Sequence, residues 1–151
     1  MSLQRSNGRC VRTQAEQQHP SVQSADVTIR VRYVECDSFG VAHHSVYPIW
    51  FEIARTELLR QQGAAYRDLE AAGTCFVVTE MHLHYRGPAR YDDLIRVHVR
   101  QSRVKGVRIV HDYQVYRDDQ LLVEGQTTLA CVDRAGKPQR MPAGMFQVPG
   151  V

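Results

Sequence analysis

From Asp26 the chain alternates between polar and apolar residues, with Ile29, Val31 and Tyr33 separated by Thr28, Arg30 and Arg32. A period of two puts successive side chains on opposite faces, so a half-buried strand is predicted over residues 28–34. At Ser45 the period lengthens. Tyr47, Phe51, Ala54 and Leu58 recur at i, i+4, i+7 and i+11, with Val46, Trp50 and Ile53 beside them and Glu52, Arg55, Thr56 and Arg60 opposite. This is the stripe of an amphipathic helix over residues 45–62. Ser45 is placed to act as its N-cap, Pro48 falls in the first turn where N–H groups lack intrahelical partners, and Gly63 provides the stop.

A shorter helix is predicted over 66–72, ending at Gly73. Four strands then follow, over 75–85, 94–104, 107–117 and 121–132. The breaks at Lys105-Gly106 and Asp118-Asp119 are short enough for antiparallel hairpins, while Gly87-Pro88 and Asp92-Asp93 mark a longer turn. One long helix with so wide an apolar stripe and five antiparallel strands make an α+β fold with the helix laid on one sheet face.

Composition narrows the class. The 151 residues, 43% of them hydrophobic, fit one domain. Residues 1–25 carry no period and read as a tail, with the ordered domain over 26–145 and a second tail over 146–151. No run of eighteen apolar residues and no apolar signal core is present, so a cytoplasmic protein is expected. Cys10, Cys36, Cys75 and Cys131 show neither CxxC spacing nor a disulfide framework; reduced thiols and no metal site are expected. Net charge is +3, with seventeen arginines against Lys105 and Lys137. Because these are scattered among sixteen acids, nucleic-acid binding is disfavoured.

The chemistry concentrates between Glu35 and Glu52. Asp37, the Gly40 turn, His43, His44 and the helix start lie close together, and the free N–H groups of a helix entrance can hold a developing oxyanion. Together with the helix residues 50–59 and the later Tyr85-x-x-Pro88-Ala89-x-Tyr91-Asp92-Asp93, the segment Asp37-x-x-Gly40 followed by His44-x-x-Tyr47 resembles the 4-hydroxybenzoyl-CoA thioesterase family, over residues 27–142. The resemblance implies a hotdog fold, a five-stranded antiparallel sheet wrapped around one long helix. It also implies edge-to-edge pairing into a homo-oligomer, dimer or homotetramer, with active sites at the dimer interface, and hydrolysis of an acyl-CoA thioester without a cofactor.

By that resemblance Asp37 is the catalytic carboxylate, as general base or nucleophile, and the His44 backbone N–H polarises the carbonyl. In a turn, Asp37 would alternatively bond its own loop N–H groups, and the His44 side chain could simply pack at the helix entrance. Tyr47 reaches the site or belongs to the core. Gly40 and Val41 shape the substrate side of the turn, with Gly40 suited to a positive φ. Arg86, Arg90, Arg103, Lys105 and Arg108 flank two turns and are candidates for CoA phosphates. Glu57 falls inside the apolar sector and is expected either to pair with an arginine or to act as a second acid. His82 and His84 share a strand face; two ligands do not make a metal site. Acyl-carrier-protein thioesters, a dehydratase, which would require a histidine motif on the helix, and a non-catalytic acyl-CoA binder are the competing readings.

Overall fold

The computed structural model describes residues 23–146. Of the tails expected over 1–25 and 146–151, residues 1–22 and 147–151 lie outside the described residues, whereas Ser24 and Ala25 belong to the first strand and Ala25 is buried. Strand β1 is Ser24–Arg30, earlier than predicted, and is followed by a 3-10 turn, Tyr33–Glu35. Helix α1 is Tyr47–Gln61 and α2 is Tyr66–Ala71; strands β2 to β5 are Cys75–Tyr85, Leu94–Lys105, Arg108–Arg117 and Gln120–Val132.

Two sequence expectations need correcting here. Tyr33 does not continue the strand: it is 81% exposed, because the chain turns where the Glu35 carboxylate takes the Arg32 N–H at 2.7 Å. Ser45 is not the N-cap. Val46 holds that position in an α conformation with no side-chain bond, while the Ser45 hydroxyl lies 2.7 Å from Nδ1 of His43.

The five strands are antiparallel in the order β1-β3-β4-β5-β2, so β1 and β2 are the edges. Register explains the two faces. The rows Val27–Val97–Val115–Val123 and Ala25–Val99–Tyr113–Gly125 look inward, and the rows Asp26–His98–Gln114–Glu124–His84 and Arg100–Asp112–Gln126–His82 look outward. The inner rows meet Trp50, Phe51, Ala54 and Leu58 of α1, all fully or almost fully buried. Phe51 stacks on Tyr113 with centroids 4.2 Å apart and planes at 10°, and its ring lies over Gly125, where a Cβ would collide with it.

The sheet-facing stripe of α1 also carries a charge. Arg55, expected on the polar face opposite, is instead buried, its Nη2 reaching the exposed Glu52 at 3.1 Å. Glu57, by contrast, is half-exposed and pairs with Arg60 at 3.4 Å, so the expected carboxylate inside the apolar sector is a surface ion pair.

Candidate active site

The segment joining β1 to α1 is built as a miniature hairpin. His43 N–H donates to the Glu35 carbonyl at 2.8 Å, Cys36 bridges Ala42, and Asp37 N–H donates to the Val41 carbonyl at 2.9 Å. Its tip closes through Gly40 N–H on the Asp37 carbonyl, with Gly40 at φ +73°, a conformation that favours glycine. Asp37 Oδ1 accepts the Phe39 N–H at 2.8 Å, the local turn bond that an aspartate in this sequence can make. Among the described residues no donor reaches Oδ2, so one carboxylate oxygen is fixed by the loop and the other is available.

Past the second arm the chain enters α1. Val46 N–H donates to the His43 carbonyl, whereas the His44 N–H meets no acceptor among the described residues. His44 is exposed and its ring lies 4.0 Å from that of His43. An unbonded amide at the positive end of a fifteen-residue helix is suited to negative charge.

Tyr47 is 2% exposed, edge-on to Trp50 at 4.8 Å and to Tyr85 at 5.4 Å, with its hydroxyl bonded to the Ala89 backbone. Burial pushes that hydroxyl above its ordinary pKa, against the opposing Ala89 bond. It is a neutral phenol at pH 7, and its surroundings are those of a core residue.

Two carboxylates to which the sequence assigned no role of their own hold this loop. Glu35, 6% exposed, accepts from the Arg32 N–H at 2.7 Å, from the Arg32 guanidinium at 2.8 Å and from the Trp50 indole at 3.2 Å. Burial alone would raise its pKa, but these donors outweigh it and hold the carboxyl below its ordinary range. Asp93 accepts from the Arg90 N–H at 2.8 Å and from the Arg117 guanidinium at 2.7 Å. It thereby ties down the 88–93 turn, whose Ala89 carbonyl takes the Ala42 N–H at 2.8 Å and whose Arg90 bridges Val41. The signal for both was only a carboxylate beside a turn motif.

The arginine candidates separate. Arg90 lies beside Val41, whereas Arg86 is held by Glu124 through two contacts of 2.6 and 2.8 Å. Arg103, Lys105 and Arg108 line a groove of about 520 Å³ with Glu80, Ser102 and Thr128. That groove is at the far end of β3, roughly 30 Å from Asp93 at strand rise. One protomer therefore does not bring the two basic groups together. His82 and His84 are exposed on the outer face, opposite Gln126 and Glu124.

Comparison with known proteins agrees with the architecture. Residues 39–124 match the model of the Thioesterase superfamily. The chain is 33% identical over 116 residues to the acyl-CoA thioester hydrolase YbgC of Escherichia coli, covering 76% of this chain and 87% of that one. Among solved structures, a hypothetical protein from Thermus thermophilus superposes with TM-score 0.77 at 36% identity, over 80% of this chain and 92% of the other. The DHNA-CoA thioesterase of Staphylococcus aureus does so with TM-score 0.75 at 29% identity, over 78% and 80%. A single long helix held on one face of this sheet, with such relatives, defines a hotdog-fold thioester hydrolase. The chain belongs to the Thioesterase superfamily.

Among the described residues no helix is long and apolar enough to cross a membrane.

Proposed function

We propose that this protein hydrolyses acyl-CoA thioesters, with Asp37 as general base or nucleophile and the His44 amide as the oxyanion donor. The observation that carries the reading is the 35–43 hairpin, which fixes one oxygen of Asp37 and delivers the chain to α1 while, among the described residues, the other oxygen and the His44 N–H meet no partner. As general base, Oδ2 takes a proton from the water whose oxygen attacks the thioester carbon. The tetrahedral oxyanion is held by the amide, and its collapse releases the carboxylic acid and a CoA thiolate that recovers the proton. As nucleophile, Oδ2 attacks the same carbon, CoA thiolate leaves, and water cleaves the mixed anhydride.

The acyl group is aryl or of short to medium chain; the likeness to a DHNA-CoA thioesterase supports testing aryl esters first. The working unit is a homo-oligomer paired through β2, an edge strand of eleven residues that exposes Val77 and Val78. Pairing gives a route for the Arg103, Lys105 and Arg108 group of one subunit to serve the CoA phosphates of its neighbour's site.

A panel of acyl-CoA esters read with a thiol-trapping dye, at two ionic strengths and alongside size-exclusion chromatography, tests the reading. Asp37→Asn is expected to lower turnover by at least about a hundredfold with the fold intact. Near-normal rates in that variant remove Asp37 from the mechanism. Presenting one acyl chain on CoA and on acyl-carrier protein decides the carrier.

A further inference from the structure

We propose that Glu35 is a positioning residue for hydrolysis: its buried carboxylate locks the Asp37 loop to the first turn of α1, setting the distance between the acid and the His44 amide. The inference rests on the function proposed above and adds a residue to it. Glu35 is joined to both sides of the site. Its side chain holds the indole of Trp50, which lies in the first turn of the helix, at 3.2 Å, and the Arg32 backbone at 2.7 Å. Its own carbonyl holds the His43 N–H at 2.8 Å, one residue before the proposed oxyanion donor. Asp37 lies two residues beyond Glu35 on the same arm of the hairpin, opposite Val41.

Burial makes this a rigid joint. Trp50 is fully buried, so the indole cannot turn to another acceptor without opening the core, and a carboxylate shielded from water holds its donors strongly. Because the joint spans the acid's loop and the helix that carries the amide, loosening it changes their separation while leaving both groups in place. A misplacement on the ångström scale costs about a hundredfold in rate. Substrate grip elsewhere along the CoA arm is untouched.

Trp50 is the sole tryptophan in the sequence, so its emission reports the joint directly. Glu35→Gln retains shape but presents an NH2 to donors. In Glu35→Gln, kcat is expected to fall by about 30- to 100-fold with KM within about threefold of wild type. A shift in Trp50 emission and an unchanged far-ultraviolet spectrum are expected with it. Trp50→Phe removes the indole donor while keeping an aromatic ring. It is expected to lower kcat by itself, and to add little further loss in the Glu35→Gln background because both changes break one joint.

A Glu35→Gln kcat within twofold of wild type, or fully additive losses in the double variant, overturns the inference. If Glu35→Gln fails to fold, Trp50→Phe decides alone: a wild-type kcat overturns it, and a lowered kcat at constant KM supports it. Asp37→Asn is run in parallel. Its inactivity beside a fully active Glu35→Gln rejects the positioning role and leaves the proposed mechanism standing, whereas an active Asp37→Asn rejects the mechanism itself.

Discussion

The phenol of Tyr85 donates to the carbonyl oxygen of His44 at 2.9 Å, linking the end of edge strand β2 to the peptide that leads into α1. The same ring stands edge-on to Tyr47. Removing the hydroxyl with Tyr85→Phe keeps the ring and frees only this peptide. One neutral hydrogen bond contributes about 1 kcal/mol, equivalent to about fivefold in rate if it acts on the transition state. Steady-state kinetics of Tyr85→Phe should show a kcat loss of that order with little change in melting temperature, Tyr85 being 48% exposed. An unchanged kcat would show that this bond does not orient the entrance.

Gly125 is where β5 passes beneath the Phe51 ring, and the restriction there is steric, not conformational. Gly125→Ala should destabilise the fold by about 1–3 kcal/mol, the usual cost of forcing extra volume into a filled core. Urea denaturation measures it. Trimming the obstruction in Gly125→Ala/Phe51→Leu should cost less than the two single losses summed.

His111 is 3% exposed, with no partner for Nδ1 among the described residues, and its pKa is pushed down to about 4 by burial first and by the neighbouring Arg55 cation second. A depressed folded-state pKa means that stability is fully present above the unfolded value of about 6.5 and is lost as pH falls toward 4. The loss is on the order of 3 kcal/mol. Comparing urea midpoints of wild type and His111→Leu between pH 7 and pH 4 isolates it, since the carboxylates titrate in both. The wild type should lose more stability than the variant across that window. Parallel curves would contradict the assignment.

Periodicity carried most of the architecture, because β3 and β4 alternate and the β3–β4 and β4–β5 hairpins are only two residues long; Lys105 pairs with Arg108 and Arg117 with Gln120. It failed at Tyr33, where alternation continues in the sequence but the chain obeys the Glu35 carboxylate, which takes the N–H of Arg32. It failed again at Ser45, a good capping residue by type whose hydroxyl has a nearer partner in His43. In the proposed site, Asp37, Gly40 and His44 drew their roles from the family resemblance that their motif carries. Glu35 and Asp93 did not, since their importance comes from donors 15 and 24 residues away in sequence, Trp50 and Arg117. Counting residues along β3 would have separated Lys105 from Arg90; flanking a turn said nothing about which end of the sheet the turn occupies.

The strand order has a consequence for biosynthesis. β1 pairs with β3 across about seventy residues, as in Asp26 with His98, and β2 waits for β5, as in His82 with Gln126. Only the β3–β4–β5 meander is local, so it is the natural nucleus, with the two edges zipping on afterwards and folding in the slow range set by distant contacts. During translation the helix bearing Trp50 and Phe51 leaves the ribosome before any of its three central strands exists. Its greasy face must stay unsatisfied until nearly the whole chain has emerged, which exposes the nascent polypeptide to aggregation during synthesis.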